Sequence, residues 1–597
     1  MQVSAGYQKE KGKEIKMNKF SVPGVYVSEQ KYTLNPLQID TRCISAFAGI
    51  SEKGPVNEPT LIKSFDDYLK IFGGFDTVGV LPLSVYSYFK CGGKELVVTR
   101  VAHKGSVSCA ELNLSCQKGI LKLTALTPGS WGNYINVKLW YEYEKAGSVC
   151  NVDSDGQFIE LDSTDYLQPG DIIELNLGEG KTICREINYI EENRLYFHPL
   201  NAISKFQNEP EKLLIKKVFY SVIISGKNKK NETYLHLSMN KNDERYIVKF
   251  INEHSLLCRI SDLNVKGSLK PVYTEYAKNG SDGIADITAA DIIGHYQCMT
   301  DYSGIGTFES REDISLIACP DLCWLLNMSG KSLEQKLLEY RAVQEAMLNQ
   351  AERFSGRFAI LDMPDFFDIA DAVSYSKKID SAYGASYYPY INVLDPLDKL
   401  GCNTIRIPPS GAVCGCIACT DGEKGIFYAP ANCIIQGSVG VSKRITEGEV
   451  GELYNNNINA LKYFPGKGVK IWGAKTLSSK YDWRYINVRR TFSRICSAIK
   501  KGTQWAVFEV NDKALRKRLV RQVSGFLLDL WMKGYLAGST SEQAFYVRCD
   551  EELNSIENIE KGILTFEVGL AIVKPAEFFH ITLTAEKDGS SVYIDNE

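Results

Sequence analysis

Hydrophobic and polar positions fall into two textures along this chain. From about residue 41 to 103, and again from 284 onward, continuous apolar runs alternate with helical stripes. CISAFAGI, ELVVTRVA, DISLIACP and RFAILDMP are short unbroken apolar runs and predict buried strands. SFDDYLKIFGG (64–74) predicts a short helix: Ser64 caps it, Asp66 and Asp67 suit its positive end, and Gly73-Gly74 stop it. LPLSVYSYFKCGG is a second helix-to-glycine unit, and SLEQKLLEYRAVQEAMLNQAER (332–353) a long helix with Leu333, Leu337, Tyr340, Val343 and Met347 on one stripe. Strand and helix alternating in this way predict an α/β layer. Between 104 and 283 the period shortens to two. LKLTAL, YINVKLWYEY, DIIELNL, RLYFHPL, FYSVIIS and TYLHLSM, separated by turns such as QPGD and KNKKNE, predict a β-rich insertion.

Bulk properties narrow the class. At 597 residues the chain is too long for one core. Apolar content of 44% with 24% charged residues belongs to a folded protein. A net charge of −3 leaves no global pull toward nucleic acid or anionic lipid, so electrostatic function must be local. No apolar run approaches the roughly 20 residues of a membrane span. Residues 1–20 are polar, without a signal peptide's apolar core, and read as an arm in which Met1 or Met17 can be the start. The 17 scattered cysteines suit reduced thiols better than a disulfide framework.

Four features invite a chemical reading. GKGVKIWGAKT (466–476) approaches a phosphate-binding loop, but Ala474 separates Gly473 from Lys475 and Gly473 falls within or at the end of a strand. In GEGKT (178–182) Gly180-Lys181-Thr182 is intact, yet the upstream glycine position is Leu175. CGCIAC brings Cys414, Cys416 and Cys419 together, with Cys402 and Cys433 nearby. Read as a buried strand of small residues, it sends Cys419 to the face opposite the other two, which argues against a metal site. Histidines 103, 198, 236, 254, 295 and 580 sit in no recognisable catalytic setting, so no active site and no cofactor are expected. The fourth feature is charge. Arg484, Arg489, Arg490, Arg494, Lys500, Lys501, Lys513, Arg516, Lys517, Arg518 and Arg521 face only Asp482, Glu509 and Asp512, a local balance of +8. Two amphipathic helices carry them. Val488, Phe492, Ile495, Cys496 and Ile499 form one apolar stripe, and Leu515, Leu519, Val523, Phe526, Leu527 and Leu530 the other, so the basic residues are expected to project into solvent. A solvated face and a docking surface for an acidic partner both stand open. Nucleic acid is disfavoured because no aromatic-interleaved basic groove accompanies the patch.

The order of segments carries a further signal. VPGVYVSEQ, AFAGISEKGPVNEPTLIKSFDDYLKIFGG, CGGKELVVTRVA, YYPYINVLDP, PPSGAVCGCIACTDGEKGIFYAPAN, INALKYFPGKGVKIWGAKTL, RYINVRRTFSRICSAIKKGTQWAVFEVNDKALRKRLVRQVSGFLLDLW, AFYVRCD and KPAEFFHITL follow one another. In that order they resemble contractile tail sheath proteins of phages and phage-tail-like injection systems. The resemblance covers about 20–103 and 284–585, with PGSWGN and NGSDGI marking the edges of an inserted domain. The family usually has Ala or Val where Cys414, Cys416 and Cys419 stand, and its Trp-Gly-Ala-Arg/Lys-Thr strand binds no nucleotide. ELYNNNIN departs from the family's Leu-Asn-Pro-x-Gly-x-Asn, and AEKDGSSVYIDNE (585–597) runs past its usual end.

The resemblance implies an α/β (α+β) sheath core built from both ends of the chain, a β-rich outer insertion and extended terminal arms. It divides the chain into an N-terminal arm (1–40), a first segment of the sheath core (41–103), the insertion (104–283), a middle α/β domain (284–455), a C-terminal inner domain (456–576) and a C-terminal arm (577–597). It implies a non-enzymatic subunit that polymerises around an inner tube and contracts to drive that tube through a target envelope. Val25, Tyr26 and Val27, with Phe578, Phe579, Ile581 and Leu583, would be strands donated to neighbouring subunits. Lys513, Arg516, Lys517, Arg518 and Arg521 would face the inner tube. Partners would be further copies in six-fold rings, the tube, and baseplate and terminator proteins, with neither membrane nor specific nucleic acid. Assembly would take place in a bacterial cytoplasm, as part of a phage tail or extracellular phage-tail-like particle. A non-contracting or baseplate-proximal paralogue, or a nucleic-acid-binding protein, are the alternatives.

Overall fold

The computed structural model describes residues 37–75, 79–227, 231–298, 301–354, 356–398, 400–577, 580–586 and 589–595. Eight strands build its central sheet: β1 (Ile44–Gly49), β2 (Thr60–Ile62), β3 (Leu96–Arg100), β4 (Ile314–Ala318), β5 (Phe358–Asp362), β6 (Gly384–Tyr388), β7 (Ile458–Phe464) and β8 (Gly468–Trp472), in the order β2-β3-β1-β4-β5-β6-β7-β8. The six inner strands run parallel, and β2 and β8 close the edges antiparallel. β1, β3, β4 and β5 are buried along their whole length, which is why they read as continuous apolar runs.

Each face of the sheet carries its own apolar layer. On one side Ala46, Val97, Ile317 and Leu361 meet Tyr340, Val343 and Met347 of the long helix α3 (Leu333–Arg353). On the other, Phe47, Val98, Leu316 and Ile360 meet α1 (Phe65–Phe72), α2 (Leu81–Lys90) and α4 (Ser410–Glu423). The caps follow the sequence. Ser64 Oγ accepts from Asp67 N at 3.1 Å to start α1, and Ser332 with Gln335 forms a reciprocal capping box on α3. On the predicted stripe of α3, Tyr340, Val343 and Met347 are buried and Leu333 is exposed.

Helix α4 corrects an expectation. GAVCGCIAC is helical, not a strand. Its hydrophobic period is invisible because both flanks are buried, and its glycines let α2 approach. A Cβ on Gly411 would lie 2.5 Å from the Ser84 carbonyl oxygen, and one on Gly415 2.4 Å from that of Tyr88.

The chain leaves this core after β3 and returns before β4. Val107–Ser108 pairs antiparallel with Ser281–Asp282 at the exit, and the segment between them has two apolar clusters of its own. Its strands reach 15 residues (Glu111–Ala125) and include one helix, Ile247–His254, where only short strands were expected. Arg100, 1% exposed, pins the exit: it donates to the carbonyls of Gly54 and Pro128 and to Asp282 Oδ1.

Beyond β8, helices α5 (Ile486–Gly502) and α6 (Lys513–Met532) pack Ile495, Ile499, Val523, Phe526, Leu527 and Leu530 together with Leu37. Two short sheets follow, β9 (Phe545–Arg548) with β10 (Glu567–Leu570), and β11 (His580–Glu586) with β12 (Gly589–Asp595). No helix among the described residues is long and apolar enough to cross a membrane.

Candidate assembly surfaces

The motifs that resemble catalytic elements are structural. Lys475 follows β8 at 1% exposure; its amide donates to Asn459 Oδ1 and its Nζ to the Tyr454 carbonyl at 2.8 Å, over the Tyr454 ring. Burial, helped by the charge of Arg484, lowers its pKa to about 8. It is a brace with no phosphate to meet. GEGKT is the tight turn of a hairpin between strands Ile172–Asn176 and Thr182–Glu186, with Lys181 N donating to Gly178 O. A phosphate loop needs a strand feeding a helix N-terminus, and this turn feeds a strand.

Cys414 and Cys416 lie buried in α4, while Cys419 packs on Gly92. Among the described residues no group of three or more His, Cys, Asp or Glu is placed to hold a metal. Two buried carboxylates stand just beyond the C-terminal end of β4 and at the end of β5, where open α/β sheets often place their chemistry. Both are consumed by backbone. Asp321 accepts from Ile50 N and Val80 N at 2.6 and 2.5 Å, and Asp362 from Ser410 N at the start of α4. Burial raises them to about 6 and about 7. The sequence reading also missed a Ser303–His295–Asp301 chain, with contacts of 2.9 and 2.7 Å. All three residues lie on or beside one short strand pair, Tyr296–Cys298 with Asp301–Tyr302, and the contacts tie its ends together without desolvating a nucleophile.

The basic segment divides, and this corrects the expectation that its charges all project outward. Arg490 forms a buried, two-pronged ion pair with Asp421 of α4. Arg489 lies among the rings of Trp483, Tyr383 and Phe492, and Arg494 donates to the Arg42 carbonyl at 2.7 Å. These three lock α5 onto the core. Lys513, Lys517 and Arg521 are exposed, with Arg516 half-buried beside them, on one face of α6. They form one wall of a groove of about 660 Å³ whose other wall is Asp550, Glu551 and Glu552. Arg518 turns away and stacks on Trp505 at 3.9 Å.

Of the predicted arm residues, Val25, Tyr26, Val27, Phe578 and Phe579 lie outside the described residues. Ile581 and Leu583 lie on β11. In the isolated chain one edge of β11 is already paired, Ile581 with Ile594 and Leu583 with Val592 of β12, so the terminal unit is a hairpin where a lone strand was expected. The segment leading to it is fastened. Glu577 accepts from the hydroxyls of Tyr454 and Tyr485, and Asn487 Nδ2 donates to the Val573 carbonyl at 3.1 Å.

Comparison with known proteins gives this arrangement its relatives. The model of the phage tail sheath protein central domain matches residues 338–477, and that of the phage tail sheath C-terminal domain residues 478–586. A putative prophage major tail sheath protein of Pseudomonas aeruginosa (strain UCBPP-PA14) is 31% identical over 261 residues, 42% of this chain and 62% of the relative. The tail sheath protein of Vibrio phage KVP40 is 24% identical over 192 residues, 32% of this chain and 28% of the relative. The chain thus aligns with less than two thirds of either curated relative. Among solved structures, the contracted helical sheath of the anti-feeding prophage superposes with a TM-score of 0.50 at 20% identity, over 95% of this chain and 99% of that one. The sheath tail protein of Desulfitobacterium hafniense gives 0.50 at 12% identity, over 88% and 94%. At such identities these two speak for the fold. Over residues 338–586 the chain is similar to the central and C-terminal domains of phage tail sheath proteins.

Proposed function

We propose that this chain is the structural subunit of a contractile tail sheath. It polymerises around an inner tube and drives that tube forward by passing from a metastable extended lattice to a tighter contracted one. The observation that carries the reading is the state of the C-terminal sheets. Among the described residues, β9 and β10 pair only with each other, as do β11 and β12, so each two-stranded sheet keeps two edges with no strand on them there. Isolated two-stranded sheets are marginal in water, and open edges recruit strands from other chains. A terminal hairpin tethered at Val573 and Glu577 is suited to reach a neighbour's β9–β10 sheet, with the N-terminal arm closing the other edge. Such backbone links survive rotation of the subunits they join, and a bistable interface needs no ATP during the stroke.

In this reading residues 456–576 form the inner wall, with Lys513, Arg516, Lys517 and Arg521 toward an acidic tube, and residues 104–283 lie outside. Each exposed ion pair to the tube is worth only ~0.2–1 kcal/mol, weak enough to release during firing. The subunit assembles in the bacterial cytoplasm, and baseplate and terminator proteins bound the polymer.

The test is electron microscopy of the chain expressed with the tube protein of the same particle. Cross-striated tubes of two diameters, the narrower sleeving a tube and the wider one empty, are the expected result. One fixed diameter would instead make it a static shell, and soluble monomers that retain nucleic acid would return the basic face to nucleic-acid binding. Deleting residues 575–597 should leave a soluble chain that forms no tubes; long tubes from that truncation would sink the strand-exchange mechanism.

A further inference from the structure

The turn joining α5 to α6 holds an apolar group in water under backbone strain. Phe508 is fully exposed, and Val507 and Val510 are 61% and 78% exposed. Phe508 also has φ +67, in the left-handed region that a bulky aromatic residue rarely adopts. The turn is nevertheless well fixed. Val507 N donates to Gln504 O, Glu509 N to Ala506 O and Asp512 N to Val510 O. Beneath it, Trp505 donates from its indole nitrogen to Gln522 of α6 at 2.9 Å and carries the Arg518 guanidinium on its ring. No contact within the described residues offsets either the strain or the exposure of Phe508, and strained, rigid, exposed groups are those held ready for a partner.

The surroundings describe that partner. The last turn of α5 carries Lys500 and Lys501, the latter 3.8 Å from Glu312, and the first turns of α6 carry Lys513 and Lys517, which line a groove opposite Asp550, Glu551 and Glu552; all four lysines are exposed. Inside the turn, Asp512 spends its carboxylate on Leu515 N, leaving Glu509 as the turn's other acid. An apolar knob inside a basic collar is complementary to an apolar pocket rimmed by carboxylates. We propose that Phe508, flanked by Val507 and Val510, is the anchor by which this chain seats on the inner tube, the lysines setting its approach and the aromatic ring its residence time. This rests on the sheath reading above and adds to it the residue that grips.

The test uses the full chain and assembled tubes of the tube protein from the same particle. Phe508→Gly removes the ring and the backbone strain together; Phe508→Asp adds a repulsive charge. Both should melt no lower than the parent, because the side chain packs on nothing. Tube affinity should fall at least about tenfold for Phe508→Gly and further for Phe508→Asp, while tube-free polymers still form. Affinity within twofold of the parent for both variants would overturn the anchor alone. Loss of tube-free polymers as well would assign the knob to a second copy of the chain and overturn the tube assignment. A parent chain that binds no tube at all would remove the sheath reading, and the anchor with it.

Discussion

Asp362 illustrates how far burial can move one group without giving it a chemical task. It ends β5 at 5% exposure, and Oδ1 accepts from Ser410 N at 2.8 Å, so the carboxyl fixes the start of α4. Burial raises its pKa from 3.8 to about 7. In the unfolded chain the group ionises near 4, whereas in the folded chain it keeps its proton to about 7. Between those values the unfolded state binds fewer protons, so this residue lowers stability as pH rises from about 4 to about 7, with no further change above. Asparagine keeps an acceptor for Ser410 N and cannot ionise. Asp362→Asn should therefore gain stability relative to the parent across that window, by at most about 4 kcal/mol. Thermal melts of both proteins at pH 4.5 and 7.5 check this. Asp321 titrates with the same sign in both and cancels from the difference. A difference that stays constant with pH would mean that Asp362 is ionised in the fold.

At the scale of elements, legibility tracked how one-sided each element is. α1 announces itself through Ser64, whose side chain bonds the first turn, and α3 through its apolar stripe, with the Ser332 cap found in the structure. β1, β4 and β5 are visible because burial on both faces leaves only apolar residues. α4 was hidden by the same logic. A helix buried on every side has no polar stripe, and a run of Gly, Ala and Cys resembles a strand until its partner is known. The buried arginines of α5 were hidden because charge on a helix reads as solvent exposure unless the opposing Asp421, 69 residues earlier in the chain, is known. The close packing of α4 on α2 yields a prediction of opposite signs within one helix. A Cβ on Gly415 would sit 2.4 Å from the Tyr88 carbonyl oxygen and 2.8 Å from Cys91 Cβ, whereas Gly422 has nothing within 4 Å. Gly415→Ala should cost about 1–3 kcal/mol through overpacking, despite alanine's better helix propensity. Gly422→Ala should gain up to about 1 kcal/mol. Urea melts of the two variants, read by tryptophan fluorescence, decide it, and equal effects would mean that α2 and α4 are not in tight contact.

For the whole molecule, the question is how a long insertion sits beside the central core without belonging to it. The two apolar clusters between residues 110 and 277 share no member with those on the two faces of the central sheet. Among the described residues, polar and local contacts join the two regions: the Ser108–Ser281 pairing, Gly54 N on Thr127 Oγ1, and Arg100 bridging Gly54, Pro128 and Asp282. Two cores linked by so few apolar contacts should unfold as separate cooperative units. Because Ser108 and Ser281 already face each other across an antiparallel pair, residues 109–280 can be replaced by an Asn-Gly turn without moving the exit strands. The shortened chain should stay folded. It should keep one of two calorimetric transitions seen in the parent, within about 5 °C of its original position, since only the small polar junction is lost. Arg100 is the residue most exposed to this change, because its guanidinium loses the Pro128 carbonyl and a buried charge with fewer acceptors is costly. Arg100→Met in the shortened chain should accordingly recover whatever the deletion costs, while the same substitution in the full chain should destabilise it by removing the clamp. A single merged transition in the parent, or an insoluble shortened chain that Arg100→Met fails to rescue, would make the insertion a portion of one core.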